Sequence, residues 1–274
     1  MNERRLVELA DHNFTQSLRE HARWARGDVR ESHGGIVLHG AIDFPVGPFN
    51  ALARVHEQRR ADELVDWAHT RFAASERRFS IYARSHADAD LTAECQARRY
   101  RECGRLAVMA LTAPLAAAAD DDHSALVRVK TAEDFADFVD VARRSFATLA
   151  LPAEVVDATF VCRDRLQEPH LELILASRHG KAAACALAIH EPEVSGIYWV
   201  GTVPEARGQG LATRCVRELT RSAFARGARC VVLQACSAAR STYQRLGFHE
   251  LSELVCYAAP RRAPQRSRQP FAEA

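Results

Sequence analysis

The chain has 274 residues, room for one large domain or two small ones with a substantial core. Its formal net charge is +2 with basic and acidic residues interspersed, so composition makes no electrostatic case for nucleic acid. No apolar run of roughly 18 residues argues for a membrane span; the polar start lacks an apolar leader, and the eight scattered cysteines lack C-x-x-C or zinc-type spacing, so reduced thiols, no metal and a cytoplasmic location are expected.

Residues 6–24 place Leu6, Leu9, Ala10, Phe14, Leu18 and His21 near helical spacing. Residues 35–55 are apolar and punctuated by Gly40, Pro45, Gly47 and Pro48, which predicts short strands and turns. A helix follows over 61–74, with Leu64, Val65, Ala68 and Phe72 on one face, then a strand over 79–83, a helix over 88–102 and a strand over 106–111. Small residues from Ala113 and an acidic run, Asp120 to Asp122, read as a linker.

The second half predicts a strand over 126–129 and a helix from a Thr131 cap to 147, with Glu133 and Asp134 in its first turn. Pro152 opens a short helix to about 161. Strands are expected over 171–176, 182–190 and 195–203, with a tight turn near His179-Gly180. A helix over 208–226, a strand over 230–235, a helix over 237–246 closed by Gly247, and one or two strands over 248–258 complete the pattern. Residues 260–274, rich in arginine and proline, read as a disordered basic tail, with a polyanion-contacting arm as the lesser alternative. Mixed strands and helices of this kind predict an α/β (α+β) fold, a mixed central sheet flanked by helices.

The segment from Thr202 to Val216 carries the chemistry. An apolar strand enters it and a long helix leaves it. Gly208 and Gly210 allow a tight turn and close backbone approach. The helix start offers unpaired N–H groups and a positive dipole end, and an anionic group is the natural occupant. Arg207-x-x-Gly210-x-Ala212, with Val203-Pro204-Glu205 upstream and Tyr243-Gln244-Arg245-Leu246-Gly247-Phe248 downstream, resembles the GCN5-related N-acetyltransferase (GNAT) superfamily over about half the chain, 127–257.

The resemblance implies that acetyl-CoA lies where two parallel strands splay. Its pantetheine amides would pair with the backbone of Val200, Gly201 and Thr202. Its pyrophosphate would sit on the N–H groups of Gly208, Gln209, Gly210, Leu211, Ala212 and Thr213, with Arg207 adding charge or bracing the loop. Tyr243 matches the family's general acid to the departing thiolate. The family's base position falls on Gly196-Ile197-Tyr198-Trp199, which has no carboxylate or imidazole. Glu193 is therefore the expected base, with Glu191 and His190 as alternatives. Tyr198 and Trp199 alternate, so one lines the acceptor pocket and the other packs in the core. Cys236 leaves a covalent acetyl-cysteine route as the lesser alternative to direct transfer. The implied activity is acetyl transfer to a primary amine on a small molecule or peptide by a monomer or homodimer, without nucleic acid or membrane; a non-catalytic acyl-CoA-binding or sensing module is the alternative.

Residues 97–104 echo 240–247, with Tyr100 and Gly104 spaced like Tyr243 and Gly247. The first half is therefore expected to be a second, degenerate GNAT-like lobe. It has no Gly-x-Gly at 58–62, and so serves structure or the acceptor pocket. The expected division is a lobe over 1–114, a linker over 115–125, the acetyltransferase domain over 126–259 and a tail over 260–274.

Overall fold

The computed structural model describes residues 1–32, 34–44, 49–56, 59–116 and 124–259. The expected tail, part of the expected linker and Gln58 lie outside the described residues. The first half runs α1 (Glu3–Trp24), β1 (Asp28–Ser32), β2 (Gly35–His39), β3 (Asn50–Arg54), α2 (Ala61–Ala73), β4 (Ser80–Arg84), α3 (Ala89–Ala97) and β5 (Arg101–Leu111). The second runs β6 (Ser124–Arg128), α4 (Ala132–Ala147), α5 (Ala153–Thr159), β7 (Leu171–Arg178), β8 (Lys181–His190), β9 (Val194–Thr202), α6 (Leu211–Ala225), β10 (Cys230–Ala235), α7 (Ser237–Arg245) and β11 (His249–Ala258). Strand β6 begins inside the expected linker.

The strands form one 11-stranded mixed sheet in the order β1-β2-β3-β4-β11-β5-β10-β9-β8-β7-β6. Two neighbouring pairs are parallel, β3 with β4 and β9 with β10, one in each half. The rest are antiparallel. The repeat is thus visible as β4-α3-β5 against β10-α7-β11. The halves also exchange their last strands: β11 lies between β4 and β5, and β5 lies between β11 and β10.

The residue echo is out of register with this repeat. Helix α3 ends at Ala97, not at 102, because Arg99 turns left-handed (φ 60°) and the Tyr100 N–H returns to the Cys95 carbonyl. Helix α7 ends the same way, with Gly247 at φ 94° and the Phe248 N–H on the Tyr243 carbonyl. Position 99 is therefore the counterpart of 247, and Gly104 lies inside β5. Strand β1 escapes a hydrophobic reading because its exposed residues, Asp-Val-Arg-Glu-Ser, have almost no buried face.

Local chemistry explains the helix starts. Asn2 Oδ1 accepts the Arg5 N–H at the head of α1. Thr131 and Asp134 form a reciprocal capping box on α4. The apolar face of α1 places Leu6, Leu9 and Leu18 in a core shared by both halves, with Ile36, Val108, Val232 and Leu254. A larger core under α4 and α6 gathers Phe138, Leu187, Val216 and Leu219. A third, under α2 and α3, holds Leu64, Phe72, Ile81 and Leu91.

Candidate active site

Strands β9 and β10 pair in parallel only from Val194–Cys230 to Ile197–Leu233. Beyond Ile197 they part. On its other side β9 stays with β8, through a register break between Cys185 and Leu187 where Trp199 turns left-handed (φ 53°). The opening holds a cavity of about 390 Å³. Val200, Gly201 and Thr202 of β9 form one wall, Ala212, Thr213 and Val216 of α6 another. Cys236 and Tyr243 close it from the α7 side, and Ser145, Phe146 and Thr148 from the end of α4. A side chain at Gly201 would bring its Cβ 2.7 Å from Ser145 Cβ, so glycine lets α4 lie directly on β9.

The loop after β9 makes two left-handed turns. Gly208 and Gly210 both have φ 76°, and a Cβ at either would meet no atom within 4 Å. Backbone conformation, not crowding, requires glycine there, and the space in front is open. Among the described residues no backbone carbonyl accepts from the N–H of Gly208, Gln209 or Gly210. Helix α6 has no side-chain cap and, like α7 but unlike α1 to α5, no acid in its first turn. Its free donors and unopposed dipole lie beside the cavity, which Arg207, Ala212 and Thr213 line; Gly208, Gln209, Gly210 and Leu211 are not among its lining residues. Arg207 braces this loop: its Nη2 donates to Thr148 Oγ1 (2.6 Å) and the Ser145 carbonyl (3.2 Å), its Nε to the Thr202 carbonyl (3.3 Å).

Tyr243 lines the cavity and packs edge-on against Phe248. Burial, with the Cys236 thiol beside it, raises its pKa, so the phenol keeps its proton at neutral pH. Among the described residues nothing hydrogen-bonds that hydroxyl.

The structure does not bring Glu193 to this cavity. It sits in the β8–β9 turn at the closed end of the strand pair, about 20 Å of strand from Val200. Arg229 (2.8 Å) and Arg5 (2.5 Å) hold it as an ion pair and lower its pKa. Glu191 faces His12 at 3.6 Å. His190 is buried between Ser195 Oγ (2.9 Å) and Glu172 (3.2 Å). Among the described residues no carboxylate or imidazole lines the cavity.

Both Tyr198 and Trp199 turn toward α1 of the first half, contrary to the expected alternation, because the bulge at 199 breaks the two-residue period. The Tyr198 hydroxyl donates to Asn13 Oδ1 (2.7 Å), and the Trp199 indole N–H donates to His21 Nε2 (2.9 Å). The motif-based reading missed Asn13, His21 and the α4 residues that wall the cavity. Asn13, Ser17 and His21, polar residues four apart on the buried face of α1, were the available signal.

Two buried groups make the protein acid-sensitive. Burial lowers the His21 pKa to about 4 against the bonding of its ring N–H to the Ser17 carbonyl. Burial alone would raise Glu172, but hydrogen bonds from His190, Ser222 and Arg128 hold it at about 2. In both the folded state disfavours the proton, so stability is intact above the unfolded pKa and is lost as pH falls toward the folded one. His21 acts first, between about pH 6.5 and 4, and is worth up to about 3 kcal/mol. Urea titrations at pH 7 and 4.5 should show this loss in wild-type and a smaller one in His21→Gln.

The sequence of residues 137–248 matches the model of the acetyltransferase (GNAT) family. No curated protein matches the chain. Among solved structures it is similar to a GCN5-related N-acetyltransferase from Kribbella flavida, with TM-score 0.68 and 19% identity over 92% of this chain and 96% of that one. One from Sphaerobacter thermophilus gives 0.61 and 18%, covering 84% and 82%. A tandem GNAT protein from the clavulanic acid biosynthesis pathway gives 0.59 and 14%, covering 92% and 96%. Among the described residues no helix is long and apolar enough to cross a membrane. Residues 137–248 thus form an acetyltransferase (GNAT) family segment, and the chain's fold is similar to that of solved GNAT structures, one of them a tandem GNAT protein.

Proposed function

We propose that this protein transfers an acetyl group from acetyl-CoA to a primary amine. One observation carries the reading: the parted strands β9 and β10 open a cavity that meets the uncapped start of α6 at its mouth and the Tyr243 side chain at its wall. The residues fit the coenzyme. The backbone of Val200, Gly201 and Thr202 would hold its pantetheine arm, and the N–H groups of residues 208–213 its pyrophosphate. When bound, acetyl-CoA supplies an activated thioester. Tyr243, protonated at neutral pH, is placed to donate to the thiolate as it leaves. Most of the rate gain then comes from holding amine and thioester together in the cleft.

The amine is delivered as the neutral base from solvent or through water, since no base lines the cavity among the described residues. The same observation favours the second reading, an acyl-CoA-binding or sensing module without turnover. In both, residues 1–114 shape the site that residues 126–259 provide. The strand exchange supplies within one chain the pairing of two lobes, which favours a monomer, with a homodimer as the alternative; the setting is cytoplasmic. A thiol-release assay with acetyl-CoA and a panel of small-molecule amines and peptide N-termini separates the readings. Amine-dependent release supports transfer. Tight acetyl-CoA binding with no release above the uncatalysed rate for any amine supports the sensing module.

A further inference from the structure

Helix α1 belongs to the half that lacks a phosphate loop, yet it bonds to Tyr198 and Trp199 of β9, directly before the residues that edge the second half's cleft. Asn13, Ser17 and His21 lie four residues apart on its inner face and are all buried. Gly196 makes room for Asn13, since a Cβ there would fall 1.8 Å from Asn13 Oδ1. The Ser17 carbonyl can only accept, so at 2.6 Å it fixes the His21 proton on Nδ1. That leaves Nε2 as an acceptor, and the donor it meets is the Trp199 indole.

Trp199 stands where β9 leaves β10, in a left-handed conformation that a tryptophan keeps only when its surroundings hold it. Its ring is fixed by His21, by Phe160 at 4.8 Å and by Phe146 at 5.0 Å. Phe146 is itself a wall of the cavity, and the next residues, Val200 to Thr202, are its edge. The path from α1 to the cleft is therefore His21, Trp199, then the strand edge and Phe146 together.

We propose that His21 is a positioning residue for acetyl-CoA, acting through the Trp199 indole: the N-terminal half sets the aim of the cofactor-binding edge. The proposal rests on the acetyl-CoA reading above. A neutral imidazole acceptor is what this role needs, so a side chain with an acceptor at the same reach should serve in part.

The test is calorimetric titration of the full-length chain with acetyl-CoA, for wild-type, His21→Leu, His21→Gln, Trp199→Phe and the Leu/Phe double variant. Losing one buried hydrogen bond should weaken binding about tenfold in His21→Leu and in Trp199→Phe. The double variant should lose no more than either single, because both remove the same bond. His21→Gln, whose amide oxygen can accept the indole N–H, should recover to within about threefold of wild-type. In the NMR spectrum the indole N–H resonance missing from Trp199→Phe should move in His21→Leu and stay near its place in His21→Gln. Should circular dichroism show His21→Leu unfolded, Trp199→Phe against wild-type decides. Wild-type affinity in Trp199→Phe or in a folded His21→Leu, or a Gln variant no better than Leu, overturns the role of His21 alone. Absence of binding by wild-type removes the acetyl-CoA reading, and this role with it.

Discussion

Tyr243→Phe is expected to slow amine-dependent thiol release by roughly 10²–10⁴-fold while leaving acetyl-CoA affinity nearly unchanged. The ring stays, with its edge-on contact to Phe248, and only the hydroxyl goes. That hydroxyl has no hydrogen-bond partner among the described residues, so its removal breaks no structural bond. Burial keeps it protonated, which is the form a departing thiolate needs. The loss should therefore appear in kcat and not in KM for acetyl-CoA. An unchanged kcat would remove Tyr243 from the chemistry and leave it a packed core aromatic.

Separating the halves should abolish folding of both. In the sheet, β5 of the first half pairs only with β10 and β11, which belong to the second. Likewise β11 pairs only with β4 and β5 of the first. Cut in the 117–123 segment, each half would carry a last strand with no partner of its own and a row of open backbone groups. Residues 1–116 and 124–259 expressed alone should be insoluble or lack a cooperative unfolding transition, and together they should recover one. The exchange also leaves a chemical mark. Cys103 on β5 and Cys256 on β11 have their sulfurs 3.1 Å apart, so a mild thiol oxidant should join them, and peptide mapping should find that crosslink. A first half that folds and unfolds cooperatively alone would contradict the exchanged pairing.

Some of this was legible in the residues and some was not, for physical reasons. The left-handed turns after β9 could be read because the glycines that make them, Gly208 and Gly210, stand two apart in sequence. Tyr243 could be placed because a motif of fixed spacing carries it to the same cleft. The base could not: nearness in sequence to β9 put Glu193 forward, but a strand carries a residue at its far end away from the cleft, and Arg5, from the other half, claims its charge. Strand exchange was invisible because β5 and β11 have the same local pattern whichever neighbour they pair with. The tandem architecture was legible as an order of elements, while the echo of Tyr100 and Gly104 was not its true register. The role of α1 was half written, in polar residues spaced four apart on its buried face, but the partners that Asn13 and His21 meet lie about 180 residues away.

Acetyl-CoA is proposed to bind on the glycine turns at the head of α6, and calorimetric titration of acetyl-CoA into wild-type and Gly210→Trp is the deciding measurement. At φ 76° a tryptophan is strained, and its ring would fill the open space before the free N–H groups. Wild-type should bind stoichiometrically, and a folded Gly210→Trp should show no detectable binding. Binding of equal strength by both would move the cofactor off this loop, and no binding by wild-type would contradict the acetyltransferase reading itself.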